Sequence, residues 1–160
     1  DGLKDGYEVR KSRTNPRKAD TDRDGLKDGY EVKTSKTDPL KSDSDEDGLK
    51  DGFEVRTLRS DPNNDDSDSD SMPDGWEYKN NLDPLVDDSL DDPDGDLLDN
   101  GGEYQYDTDP SNPDSDGDGI PDGDDLDANG DGIPDDDGDG SSDPSDPFDP
   151  SDETPIDPGV

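Results

Sequence analysis

Asp20-Thr21-Asp22-Arg23-Asp24-Gly25-Leu26-Lys27-Asp28-Gly29-Tyr30-Glu31 places aspartates at relative positions 1, 3, 5 and 9, glycines at 6 and 10, and a glutamate at 12. The pattern returns in the next repeat as Asp43-Ser44-Asp45-Glu46-Asp47-Gly48-Leu49-Lys50-Asp51-Gly52-Phe53-Glu54. A third copy runs from Asp66 to Glu77, at the same interval. A fourth runs from Asp92 to Glu103 after a longer step, and a fifth starts at Asp114. The spacing then tightens. Asp127 opens a sixth loop and Asp135 a seventh, while Asp1 to Glu8 is the back half of another. A tract that was merely acidic would not keep Gly at 6, an aliphatic residue at 7 and Glu at 12 in register.

Those positions are the ligand spacing of an EF-hand calcium loop, in which side chains come from 1, 3, 5 and 9, a carbonyl from 7 and a carboxylate from 12. Alternate residues of a tight turn point inward, so three carboxylates converge over a short span. Glycine at position 6 allows the positive φ that brings the later ligands round. The expected ligands of the first full loop are Asp20, Asp22, Asp24, Leu26, Asp28 and Glu31. Those of the second are Asp43, Asp45, Asp47, Leu49, Asp51 and Glu54. The third offers Asp66, Asp68, Asp70, Met72, Asp74 and Glu77, with Ser71 in the glycine position. The fourth offers Asp92, Asp94, Asp96, Leu98, Asn100 and Glu103, with Leu97 there.

The fifth loop supplies Asp114, Asp116, Asp118, Ile120, Asp122 and Asp125. The sixth supplies Asp127, Asn129, Asp131, Ile133 and Asp135, and Gly138 leaves its twelfth position open. The seventh shares Asp135 and adds Asp137, Asp139, Ser141, Asp143 and Asp146, while the half-loop contributes Asp1, Leu3, Asp5 and Glu8. Every one of these ligands is an oxygen. The chain has no cysteine and no histidine, which removes disulfides and most zinc, copper and iron–sulfur chemistry and leaves hard cations. The expectation is about six to eight bound Ca²⁺ ions.

Composition sets the bounds. Of 160 residues, 19% are hydrophobic and 41% charged, so a large apolar core cannot form, and composition alone would suggest a disordered acidic segment. A net charge of −36 argues against nucleic acid and anionic membranes as partners, and no apolar run is long enough for a membrane helix. Catalysis is not expected: there is no nucleophile–base pair or phosphate-binding glycine loop, and too little core to wall a cleft.

After position 9 each repeat reads as a short helix, with Leu26 and Tyr30 four apart so that they share a face; Leu49–Phe53 and Met72–Trp76 repeat the pair. The helix is then cut by Thr37-Asp38-Pro39, echoed at Thr14-Asn15-Pro16, Ser60-Asp61-Pro62, Leu82-Asp83-Pro84 and Thr108-Asp109-Pro110. Three apolar side chains per repeat cannot offset an ordering entropy of roughly 1–2 kcal/mol for every residue in it, so metal binding and folding should be one event. The expected architecture is a small-core, mostly irregular repeat array of EF-hand-like calcium loops with short helices, elongated and metal-stabilised. It comprises repeats of about 23 residues over 1–113, compact overlapping loops over 114–146, and a Pro/Asp-rich linker over 147–160.

The stretch from Asp20 to Val55 resembles the bacterial version of the thrombospondin type 3 repeat, and the denser stretch from Asp114 to Gly140 is similar to the arrangement in the wider family, where neighbouring loops share acids. The resemblance implies an extracellular or cell-surface array in which Ca²⁺ replaces much of the core, serving as a spacer or stalk beside other domains of a longer chain. The animal repeats carry disulfides and this chain none, which favours a prokaryotic origin. Position 8 is Lys27, Lys50 or Pro73 where a paired EF-hand carries a β-branched residue, so a calmodulin-like lobe is not expected.

Charge is unevenly shared. Residues 1–60 hold 14 basic and 15 acidic residues, a net of −1, and residues 61–160 hold Lys79 and 36 acids, a net of −35. Surface drift among repeats accounts for this. So does head-to-tail self-association into a calcium-dependent fibre or surface layer, which is the alternative to a spacer.

Overall fold

The computed structural model describes residues 2–132. Asp1, Ile133, Asp135, Asp137, Asp139, Ser141, Asp143 and Asp146 of the expected ligand set, and the 147–160 linker, lie outside the described residues. The chain divides after Asp88 into two units, at the longer step between the third and fourth loops.

The first three repeats of the first unit each pair a loop with a single α-turn and a wider turn. The α-turns are α1 (Asp5–Tyr7), α2 (Asp28–Tyr30) and α3 (Asp51–Phe53), and each runs directly into a π-type turn, at Glu8–Ser12, Glu31–Ser35 and Glu54–Leu58. The fourth helix, α4 (Asp74–Lys79), has no such second segment. The second unit contains α5 (Asn100–Tyr106) and a 3₁₀ turn at Asp122–Asp124. Among the described residues no β-strand forms.

The wider turn has a local cause. The amides of Lys36 and Arg59 reach back to the carbonyls of Glu31 and Glu54, at 2.8 and 2.6 Å, one residue further than an α-helical bond would. Lys36 and Arg59 do this in the left-handed conformation, with φ of 69° and 71°, which terminates a helix in the usual αL manner. The chain next meets the Pro turn that the sequence predicts. Lys41 N–H bonds the Asp38 carbonyl at 2.9 Å and Asn64 N–H the Asp61 carbonyl at 2.9 Å, each across Asp-Pro. The Asp38 side chain also accepts from Leu40 N–H at 3.1 Å, so the turn carries its own side-chain brace.

A backbone bond then closes each loop at its base. The position-9 amides of Asp28, Asp51, Asp74 and Asn100 donate to the carbonyls of Ala19, Ser42, Asp65 and Asp91, just ahead of position 1. The apolar content is as thin as composition demands: among the described residues the buried hydrophobics are Leu26, Leu49, Met72 and Ala128. The expected pairing of Leu26 with Tyr30 holds on one side only. Leu26 precedes α2 and is buried, whereas Tyr30 is 39% exposed. Phe53 instead meets Tyr78 of the following repeat edge-on, with ring centroids 5.1 Å apart.

Candidate metal centres

Three aspartates line each of the first three full loops. Asp20/Asp22/Asp24, Asp43/Asp45/Asp47 and Asp66/Asp68/Asp70 each bring carboxylate oxygens within 4.8 Å of one another. The loop backbone holds them by bonds from its own amides. Asp20 accepts from Arg23 and Gly25 N–H, Asp22 from Asp24 N–H and Asp24 from Leu26 N–H. The second and third loops repeat this network from Asp43 to Leu49 and from Asp66 to Met72. Donors therefore hold one oxygen of the second and third aspartate of each loop, while Asp22, Asp24, Asp45, Asp47, Asp68 and Asp70 each keep a buried second oxygen with no hydrogen-bond partner.

Positions 4 and 6 both take positive φ. Arg23, Glu46 and Ser69 stand at 72°, 73° and 71° in position 4, and Gly25 and Gly48 at 105° and 98° in position 6. Ser71 and Leu97 hold that same turn without glycine, at 82° and 87°. Leu97 is 80% exposed, so it has no packing to offset the left-handed conformation. Leu97→Gly is expected to stabilise the calcium-loaded chain by about 1 kcal/mol, read as a higher thermal midpoint. A lower midpoint would show that Leu97 contributes packing.

The glutamate at position 12 is fully or almost fully buried in each site. Glu31, Glu54, Glu77 and Glu103 are 0% exposed, and Glu8 of the half-loop is 2% exposed. Thr37 Oγ1 donates to Glu31 Oε1 at 3.4 Å and Ser60 Oγ to Glu54 Oε1 at 3.2 Å, leaving Oε2 of each without a partner. Where the corresponding residue is Leu82, both oxygens of Glu77 lack one. These hydroxyls were legible only as part of a Thr/Ser-Asp-Pro turn signal; their role in aiming the glutamate depends on the turn folding back over the helix.

Burial and the neighbouring aspartates raise the carboxyls of Glu31, Glu54, Glu77 and Glu103 far above their ordinary value. Desolvation is the larger cause in each. Glu31 and Glu54 reach about 8, helped by Asp22 and Asp24 in one case and Asp45 and Asp47 in the other. Glu77 reaches about 9 and Glu103 about 8, and Asp22, Asp45 and Asp68 each reach about 6. Such a set of buried, mutually repelling, under-coordinated oxygens is costly as it stands. It fits a hard divalent cation, whose charge offsets the repulsion and whose coordination shell uses the orphaned lone pairs. The ligands would be the aspartates at 1, 3 and 5 and the glutamate at 12.

Position 9 departs from the sequence reading. Asp28, Asp51 and Asp74 are expected to serve their own loops, yet both oxygens of each accept from the residue at position 2. Thr21, Ser44 and Ser67 donate their amide and hydroxyl at 2.7 Å in all six bonds. The clusters that include these acids join consecutive repeats: Asp51 stands with Asp24 and Glu31, and Asp74 with Asp47 and Glu54. The cause is close packing of each helix start on the loop before it. A Cβ on Gly52 would lie 2.3 Å from the Asp24 carbonyl oxygen, and one on Gly75 2.0 Å from that of Asp47. The glycine at position 10 is thus a contact requirement that the sequence shows without explaining.

Basic residues of the first unit also reach back one repeat. Lys33 Nζ donates to the Gly2 carbonyl, and a Cβ on Gly25 would sit 3.2 Å from the Arg56 guanidinium.

The fourth loop varies the scheme. Pro93 replaces the position-2 hydroxyl and Asn100, fully buried, replaces the position-9 acid. Asp122 stands near Glu103, Asp94 and Asp96, and Gly123 N–H donates to Asp96 Oδ2 at 3.3 Å. The fifth loop is more open, with Asp118 exposed, although Asp122 is buried and accepts from Ser115 N–H at 2.8 Å. In the sixth, Asp127 accepts from Gly132 N–H, and Asn129 both accepts from Asp131 N–H and donates to the Tyr106 carbonyl. Asp88, half-buried between the third and fourth loops, was not among the expected ligands, yet it lies close enough to Glu77 to raise its carboxyl further.

The fold and its sites define a class: tandem repeats, each organised around a loop of converging carboxylates. Residues 20–42 and 43–65 each match the family model of the bacterial TSP3 repeat, so the resemblance seen from Asp20 onward holds for those two repeats. A comparison with curated proteins finds no match. Two solved structures share sequence with part of the chain. One, described as a biofilm associated protein, BSP domain, is 44% identical over 27% of this chain and 7% of that one, with a TM-score of 0.27. The other, a biofilm associated protein, B domain, is 42% identical over 28% and 11%, with a TM-score of 0.28. The matched segment spans only a small part of those chains. No helix of the described residues is long and apolar enough to cross a membrane.

Proposed function

We propose that the chain is a calcium-stabilised structural array, a spacer or stalk at the cell surface or outside it, with Ca²⁺ in its loops standing in for a hydrophobic core. The observation that carries this reading is the recurrence of a fully buried glutamate with an orphaned oxygen facing an aspartate cluster, in Glu31, Glu54, Glu77 and Glu103. A carboxylate so placed is unfavourable unless a cation lies beside it. Calcium suits the site better than magnesium: the donors are numerous, all oxygen and set on an irregular loop, whereas Mg²⁺ demands near-ideal octahedral geometry and keeps its waters. The affinity expected of such loops, in the range of extracellular calcium, fits placement outside the cell. The reading assigns the chain no catalytic role.

Isothermal titration tests it. Several Ca²⁺ ions are expected to bind with Kd of about 10⁻⁴–10⁻³ M or tighter, and Mg²⁺ much more weakly. Absence of calcium heat, or equal binding of the two ions, would refute the reading. The uneven charge supports the second possibility, a head-to-tail fibre, since calcium in its loops would turn segment 1–60, net −1, positive and so complementary to the strongly acidic remainder. Particle length in calcium, measured by electron microscopy, separates the two: short rods of one length exclude the fibre.

A further inference from the structure

We infer that the acid at position 9 of each repeat is a ligand for the cation of the preceding loop, so that every ion staples two consecutive repeats. The inference rests on the calcium reading and assigns these residues a different site from the one their spacing suggests. Asp51 and Asp74 lie with the carboxylates of the loop before them, Asp24 and Glu31 in one case and Asp47 and Glu54 in the other. The sites they enter need a ligand. Glu31 Oε2 is fully buried without a partner, and so is Oδ2 of Asp24, a residue 8% exposed. Asp51 and Asp74 also cannot swing back into their own loops without giving up the paired bonds from Ser44 and Ser67.

The same juxtaposition occurs in the second unit, where Gly123 N–H bonds Asp96 and Asp122 keeps a buried Oδ2 without a partner. Asn100 occupies position 9 after the third loop, and there Asp88 stands near Glu77 as a replacement acid from the connecting segment. The position-9 carboxylate thus has two tasks. It clamps the start of its own loop through the position-2 residue, and it completes the coordination of the ion behind it. Ion binding in one loop then requires the next repeat to be docked, which makes calcium affinity and inter-repeat order a single equilibrium.

Asp51→Asn in the full chain tests this by amide NMR during a Ca²⁺ titration. The amide keeps the shape and can keep the bond from Ser44 N–H, with the hydroxyl contact reversed in direction, while removing the charge. Gly25 and Gly48 are the reporters, because their N–H groups bond Asp20 Oδ2 and Asp43 Oδ2 in the first and second loops, at 3.2 and 3.1 Å. The expected result is a calcium midpoint raised about tenfold or more at Gly25, with a much smaller change at Gly48. A shift at Gly48 alone, or at neither, overturns the inference and leaves the calcium reading intact. If both shift, Ser44→Ala decides: an unchanged Gly25 midpoint in that variant upholds the shared ligand, and a raised one assigns the effect to the clamp and overturns it. A wild-type chain whose Gly25 and Gly48 amides ignore Ca²⁺ defeats the calcium reading as well.

Discussion

Chelating divalent ions at neutral pH is expected to abolish the helical circular-dichroism signal and expose Trp76, and excess Ca²⁺ to restore both. A chain with 19% hydrophobic residues has too little core to hold its repeats without bound ions. Among the described residues the buried apolar side chains are Leu26, Leu49, Met72, Ala128 and the turn prolines Pro39, Pro62, Pro84 and Pro110, while five glutamates of the repeats are at most 2% exposed. Without a cation these carboxylates would have to stay buried and charged next to aspartates, or bind protons. Trp76 is a suitable reporter because it borders the same cleft as Asp47, Gly48 and Leu49 of the second loop. A far-ultraviolet spectrum unmoved by chelator would defeat the central claim.

The same groups fix the sign of the pH dependence. Burial first, then the neighbouring aspartates, raise Glu31 and Glu54 to about 8, Glu77 to about 9, and Asp22, Asp45 and Asp68 to about 6. The metal-free fold therefore holds more protons than the unfolded chain at intermediate pH. Its stability is greatest below the ordinary carboxylate range and is lost as pH rises through the folded values, from about 6 to about 9. Chelated protein is expected to regain helical signal on acidification from pH ~8 to pH ~4, while calcium affinity falls over that interval because protons compete for the same oxygens. Chelated protein that loses structure on acidification would contradict the assignment.

The second large effect is expected from Gly75→Ala. A methyl group at that position meets the Asp47 backbone carbonyl at 2.0 Å, and a carbonyl cannot swing aside as a side chain can. The repeats must separate, which disturbs the second loop. Overpacking of this kind costs ~1–3 kcal/mol or more, against the ~1 kcal/mol that alanine ordinarily gains over glycine in a helix. Gly6→Ala is the control. It is the same repeat position in α1, but nothing lies within 4 Å of the added carbon. Urea midpoints in saturating calcium should fall for Gly75→Ala and stay level or rise slightly for Gly6→Ala. Equal shifts would mean that the glycine matters for its backbone alone.

Much of the site is legible in the sequence. Position 12 Glu, the aspartates at 1, 3 and 5, and the Asp-Pro turns recur at a fixed period, and local geometry suffices to make alternate residues of a loop converge. Ser71 and Leu97 look like weak points in the motif, yet both hold the left-handed turn. The loop hydrogen bonds around them set its shape strongly enough to override residue preference. The bonds that Thr37 and Ser60 make to the glutamates, and the proximity of Asp88 to Glu77, escape the motif because they lie outside its twelve positions.

Sequence alone determined that this chain sets carboxylates in the register that suits hard cations, because ligand type and spacing within one short loop are local properties. Only the tertiary structure decided which loop's carboxylates each acid lies beside. Asp51 belongs with Asp43 in the motif but comes to lie beside Asp24 and Glu31, because Gly52 lets the start of α3 close onto the preceding loop. That choice depends on how one repeat packs against the next, and no periodicity along the chain encodes it.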